Sequence, residues 1–263
     1  MATRDVTTQT NYNIQYIQEL LMSPAFRLDK LRYDPNGMNM FMMMPDSPYA
    51  FQRASGMHIV ANAVGSNSRF NIDFGCIPYP NVIADAEENG LQTLFTGTPI
   101  PEADILGVSI ANPYLIMDYF KMMNLSRIPL RRDERDESSP LVVAGHMGVL
   151  NPAPFENYVD AFVIGDGDIA MPKIADAFAQ WKDKGGIHKI ELLERIADIS
   201  GVYVPHFTER VYESGSLVNV LYHGNQKGFV EQEVISDLTR ERRASLLLKN
   251  NEEAFVFIDY SCK

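Results

Sequence analysis

Apolar runs of β-type residues recur along the chain at 39–46 (NMFMMMPD), 69–79 (RFNIDFGCIPY), 103–111 (ADILGVSIA), 140–147 (PLVVAGHM) and 159–165 (VDAFVIG). Helical spacing of apolar side chains lies among them, over 49–64, 81–90 and 113–125, and from near Asp168 toward Lys184. Strands that alternate with helices, several of them apolar on both faces, pair in parallel because the crossover helices cover both sides of the sheet. The pattern predicts an α/β fold with a doubly wound, mostly parallel sheet. Ligands in that architecture bind outside the carboxyl ends of the strands, so the strand tips are where function is sought.

Other segments flank this core. Residues 14–31 have helical spacing broken by Pro24, and 191–198 read as a short helix. Residues 201–224 alternate as strands around Ser214-Gly215, the pattern of a C-terminal β-hairpin appendage. A polar connection follows, and 253–263 (EAFVFIDYSCK) begins a new apolar strand. The expected organisation is a helical lead over 1–38, the α/β domain over 39–186, a helix, hairpin and linker over 187–252, and a strand start over 253–263.

Composition narrows the partners. With 23 basic and 34 acidic residues the net charge is -11, which opposes non-specific binding to nucleic acid phosphates or anionic lipid. No nucleic acid and no membrane partner is expected. Residues 1–13 lack the features of a signal peptide, and no apolar run approaches the roughly 18 residues of a membrane span, so a cytoplasmic location is expected. Two cysteines, Cys76 and Cys262, do not make a disulfide framework. The mixed charges of 131–139 (RRDERDESS) suit a solvated loop.

The tips to inspect are Pro45-Asp46, the 109–112 stretch, the 144–148 stretch and Gly165-Asp166-Gly167-Asp168. Ser109 and Asn112 offer short hydrogen-bonding side chains, and Gly145, Gly148, Gly165 and Gly167 permit close backbone approach or positive φ. Against that stands the plainer role of turn residues and caps, with Asp166 and Asp168 capping the helix that follows. His146 is set at a strand end, where packing or hydrogen bonding is preferred over a coordinating role. The methionines of 38–44 are expected in the core, because consecutive strand residues face opposite ways and no Cys or His accompanies them. No dinucleotide, phosphate-loop or Gly-x-Ser-x-Gly sequence is present.

The succession ADILGVSIANPYLIMDYFKMMNLSRIPLRRDER, PLVVAGHMGVLNPAPFENYVDAFVIGDGDIAMPKIADAF and GVYVPHF resembles the N-terminal region of radical S-adenosylmethionine (radical SAM) proteins with a cobalamin-binding-like domain. The resemblance covers about 39–207 and is most specific over 103–178. Ser109 matches the serine that ends the third strand, Gly145 the first glycine of a Gly-Gly turn, and Asn151-Pro152 an Asn-Pro pair. Gly165, Asp166 and Gly167 match the last motif, with Asp168 in place of glutamate. His146-Met147 stands where the family has Gly-Pro, and Ala153 where it has glutamate.

The resemblance implies a cobalamin-binding-like, flavodoxin- or Rossmann-like sheet with cofactor contacts at Ser109, Asn112, Gly145, His146, Gly148, Gly165, Asp166 and Gly167. It allows cobalamin without a histidine ligand, since the lower-ligand motif of cobalamin mutases is absent. It also implies that EAFVFIDYSCK is the first strand of a radical SAM barrel. Cys262 would then be the first of the three thiolates that hold a four-iron four-sulfur cluster, whose open iron binds S-adenosylmethionine. One cysteine cannot hold the cluster, so the expectation is an accessory module, not catalytic alone, that is either truncated or completed by a separately encoded radical SAM barrel. The alternative is a non-catalytic interaction protein that keeps the fold without a cofactor.

Overall fold

The computed structural model describes residues 33–66, 69–80, 83–226 and 230–234. The expected helical lead, the strand start at 253–263 with Cys262, and most of the polar connection lie outside the described residues. The described residues form a six-stranded sheet and a separate two-stranded one. In chain order the elements of the sheet are β1 (Met38–Met44), α1 (Pro48–Arg53), α2 (Ser55–Gly65), β2 (Phe70–Cys76), α3 (Ile83–Asn89), β3 (Ile105–Ser109), α4 (Ile116–Leu125), β4 (Leu141–Gly145), β5 (Ala161–Val163), α5 (Gly167–Asp183), α6 (Lys189–Ala197) and β6 (Val202–Tyr203). The hairpin is β7 (Thr208–Glu213) and β8 (Ser216–Tyr222).

The strand order is β2-β1-β3-β4-β5-β6, parallel throughout except for β6, which runs antiparallel to β5. The first five strands reproduce the flavodoxin-like order, in which the direction of winding reverses between β1 and β3 and opens a crevice there. Two apolar layers follow. One packs Met40, Met42 and Phe74 with α2 and α5, and the other packs Phe41, Met43 and Leu106 with α4. Between β4 and β5 the described chain has short turns at 147–149 and 153–155 instead of an α-helix.

The methionine-rich β1 is core, as its sequence predicts: Met40, Met42, Met43 and Met44 are buried. Two glycines on the neighbouring strands accommodate them. Met43 is in register with Gly75 and Met42 with Gly107, and a Cβ would lie 2.6 Å from the Met43 sulfur or 2.9 Å from the Met42 sulfur. Flexible thioethers thus lean sideways into notches that any larger residue would fill.

Four expectations change on contact with the structure. Strand β2 alternates polar and apolar residues, yet all seven are buried, because the segment after α3 covers its edge: Asp73 accepts hydrogen bonds from the Phe95 and Thr96 amides at 3.2 and 2.9 Å. The helix expected over 49–64 is two, α1 and α2, meeting at Ala54. Val202–Tyr203, read as part of the hairpin, pairs with β5 and adds an edge strand to the sheet. The charged stretch 131–139 is not wholly solvated. Arg135 has a side chain 2% exposed, paired with Asp160 at 2.8 Å and donating to the Pro129, Leu130 and Tyr158 carbonyls. Those carbonyls and the carboxylate supply acceptors to both terminal nitrogens of the guanidinium, while its buried Nε has no hydrogen-bond partner among the described residues.

The hairpin is tied back through Glu156. Its carboxylate accepts from the Tyr203 hydroxyl at 2.8 Å and from Arg210 in a two-pronged pair, Nε at 2.9 Å. Planar bidentate geometry of this kind fixes orientation as well as distance.

Candidate functional site

The parallel register brings the carboxyl ends of β1, β3, β4 and β5 to one rim. At the β1 tip, the Asp46 carbonyl accepts from the Ile77 amide at 3.0 Å and its carboxylate from the Ser47 amide at 2.6 Å. Ser47 in turn caps α1. At the next two tips Ser109 pairs with Gly145. The Ile110 amide donates to the Gly145 carbonyl at 3.0 Å, and the Gly148 amide to the Ile110 carbonyl at 2.9 Å, stitching β3 to β4 just beyond the sheet.

The sequence-predicted residues separate into groups. Ser109 and Gly145 come together at the β3–β4 tips, beside the reversal, both partly exposed. A Cβ at Gly145 would meet Val163 at ordinary contact distance, 3.7 Å and beyond, so the chain itself leaves that position clear. Asn112 is exposed, and its amide oxygen accepts from the Tyr114 amide at 3.0 Å as a turn cap. Gly148 is buried against the chain's own backbone, where a Cβ would lie 2.5 Å from the Ile110 carbonyl oxygen. Its missing side chain serves tip-to-tip packing.

Gly165 and Asp166 lie at the β5 tip. Gly165 has φ +114, and a Cβ there would overlap the carbonyl of Glu233 and lie 2.7 Å from its amide nitrogen. Asp166 takes the N-cap position of α5, but its side chain makes no capping hydrogen bond; its amide donates to the Glu233 carbonyl at 2.7 Å. This corrects the expected carboxylate cap. Gly167 opens α5, with a Cβ position 3.1 Å from Val60.

His146 adopts φ 87 and ψ 176, a region almost restricted to glycine. Its ring is hydrogen-bonded to the Ala111 backbone, and desolvation holds its pKa below the usual histidine value. The ring is thus engaged with the β3 tip. Cys76, at the end of β2, is buried, and desolvation pushes its thiol well above the usual range, so no thiolate is offered there. Among the described residues no cluster of three or more His, Cys, Asp or Glu side chains is placed to hold a metal ion. Cys262 lies outside the described residues.

Sequence reasoning missed the apolar rim. Tyr49, Tyr114, Met117, Met147 and Leu150 are 58, 90, 68, 66 and 50% exposed, and each follows closely on the tip of β1, β3 or β4. The turn at 113–115 packs against that at 147–149. In sequence these residues are indistinguishable from core positions; the usable signal is that they sit within a few residues of a strand tip. Clustered apolar exposure beside a few polar groups is the make-up of a ligand or partner surface. A cavity of about 100 Å³ lies between the α6–β6 turn and the chain at Gln226, Val230 and Glu231, and is lined in part by Gly201, whose Cβ position is 2.9 Å from the Ile164 carbonyl oxygen.

For cobalamin, the group implied by the sequence resemblance, the fit is divided. At the tips of β3 and β4, the partly exposed Ser109 and the clear edge of Gly145, with exposed apolar residues nearby, leave room for an apolar-faced cofactor. At the β5 tip, the chain's own Glu233 fills the approach.

The family model for radical SAM proteins, N-terminal, matches residues 56–205. Among solved structures, the radical S-adenosylmethionine methyltransferase TsrM from Kitasatospora setae is similar in two forms. The form with tryptophan substrate and the SAM analogue aza-SAM has a TM-score of 0.39 and 13% identity, covering 64% of this chain and 28% of that one. The form with cobalamin and a 4Fe-4S cluster has a TM-score of 0.37 and 14% identity, covering 64% of this chain and 29% of that one. The chain thus spans less than a third of the length of the structures it matches. No curated protein matches it.

Proposed function

This chain belongs to the family of N-terminal regions of radical SAM proteins, and from that premise we propose that it is the accessory cofactor-facing module of a radical SAM enzyme, not catalytic alone. The observation that carries the reading is the winding reversal between β1 and β3, with Ser109 beside Gly145 at an open, apolar-rimmed tip. The proposed ligand is cobalamin. When bound it supplies the cobalt-centred chemistry. The module's own residues do simpler things: Ser109 and Asn112 offer polar contacts, Gly145 lets the ligand approach the backbone, and the exposed tyrosines and methionines cover its apolar surface. His146 positions the β3 and β4 tips through its bond to Ala111 and is not a ligand to cobalt. A four-iron four-sulfur cluster and S-adenosylmethionine belong in this reading to a barrel, which a separately encoded chain would supply as partner.

The test is titration of hydroxocobalamin into the wild type and Gly145→Val, with circular dichroism as the folding control. A β-branched residue is tolerated at a strand end whose Cβ position is clear, so the variant should fold and bind at least about tenfold more weakly. Equal affinities would remove Gly145 from the site. No binding by the wild type would favour the second reading, a non-catalytic interaction protein, which the self-filled positions at Gly148 and Gly165 support.

A further inference from the structure

The Gly165-Asp166-Gly167-Asp168 turn lies within the most specific part of the sequence resemblance, yet Gly165 is approached by the chain's own residue Glu233. Strand β6 pairs with β5 at Phe162 and Val163, and the Ile164 amide donates to the Gly201 carbonyl at 2.7 Å, which leaves the Ile164 carbonyl and the backbone of Gly165 and Asp166 without a partner from β6. Glu233 takes up that backbone through an isolated parallel bridge to Gly165. Its amide donates to the Ile164 carbonyl at 3.0 Å, and its carbonyl accepts from the Asp166 amide at 2.7 Å. The Glu233 carboxylate lies 3.5 Å from the Lys173 ammonium on α5. A second glycine makes room for the same residue: Gly201, at φ +76, would carry a Cβ 2.8 Å from the Glu233 Cβ. The approach to this docking begins at Gln226, whose buried side chain accepts from the Val204 amide at 2.8 Å.

We propose that the Gly165–Asp168 turn is the receptor for an internal strap, residues 230–234, and that the ligand crevice therefore ends at Gly145. Two glycines with positive φ are spent on admitting one backbone segment, so the close approach a ligand would need at β5 is already taken. The strap is held by two backbone hydrogen bonds and a half-exposed ion pair. Such contacts contribute little each, so the strap opens locally without unfolding of the sheet beneath. The statement about the crevice rests on the cofactor reading above; the strap itself does not.

Hydrogen exchange on the full chain decides it. Glu233→Pro removes the amide that donates to Ile164 while leaving the β5 tip untouched. The Asp166 amide should then exchange at least tenfold faster, with the amides of β4 unchanged. Unaltered protection of Asp166 would overturn the strap. A variant in which β4 also loses protection would show that the segment is merely part of the cooperative core. Hydroxocobalamin titration tests the boundary separately. Affinities within twofold for wild type and Glu233→Pro support a crevice ending at Gly145, and tenfold tighter binding to the variant overturns it. If the wild type binds none, the cofactor reading fails while the exchange result still decides the strap.

Discussion

Met43 leans over Gly75, its partner in the β1–β2 ladder, with its sulfur 2.6 Å from where a Cβ on Gly75 would stand. Gly75→Ala is expected to cost about 1–3 kcal/mol through overpacking, measured as a shift in the urea midpoint. A smaller neighbour should relieve it. In a double-mutant cycle with Met43→Val, the two costs should sum to more than the cost of the pair, and strict additivity would show that the notch is not shared.

His146 occupies a backbone region that glycine adopts without penalty, at a position where the family pattern has glycine. His146→Gly should therefore stabilise the fold by about 1 kcal/mol or more, despite glycine's greater freedom in the unfolded chain. Thermal unfolding reads this directly. A lower midpoint in the variant would mean that the ring's bond to Ala111 outweighs the strain.

His58 is fully buried among Phe51 and Phe74, and desolvation lowers its pKa from 6.5 to about 4. Its folded value is below its unfolded one, so its contribution is present above pH 6.5 and is lost as pH falls toward 4. The loss over that window is of the order of 3 kcal/mol. Asp73, whose carboxyl burial pushes upward, acts in the opposite sense, losing stability as pH rises. The check is therefore a difference: urea stability from pH 7.5 to 4.5 in wild type and in His58→Phe should differ in slope, the variant being flatter. Parallel curves would exclude His58 as the titrating group.

Removing Arg135 strands the Asp160 carboxylate, 14% exposed, whose second oxygen accepts from the Val142 amide at 2.8 Å. Arg135→Ala should cost about 3–5 kcal/mol, whereas Arg131→Ala, four residues earlier in the same charged stretch and paired with Asp133 at the surface, should leave the denaturation midpoint nearly unchanged. Chemical denaturation of both variants distinguishes a buried latch from ordinary surface charge.

These cases mark how far the sequence could be read. The sheet was legible because its strands are long apolar runs and its helices keep their period, and the rim followed from the rule that parallel strands present their carboxyl ends to the ligand. Ser109 and Gly145 were reached in that way. Arg135 was not, since a charged stretch looks the same whether one guanidinium turns inward or all face water. Val202–Tyr203 and Glu233 were not, because both join the sheet through backbone bonds that leave no side-chain pattern. Gly165 was read as a place for a ligand to approach the backbone, whereas the neighbour found there is Glu233, a residue far along the chain.

The hairpin, finally, is an insertion and not a tail. Sheet-edge pairing at Val202–Tyr203 precedes it and pairing at Glu233 follows it, while the His223 amide meets the Phe207 carbonyl at 2.8 Å, so its two ends close on each other. A segment that leaves and re-enters at one point can lengthen, shrink or be exchanged for a tight turn without disturbing what lies on either side. Variation among relatives should therefore accumulate in 208–222, while the sheet's own outline continues past it to residue 233.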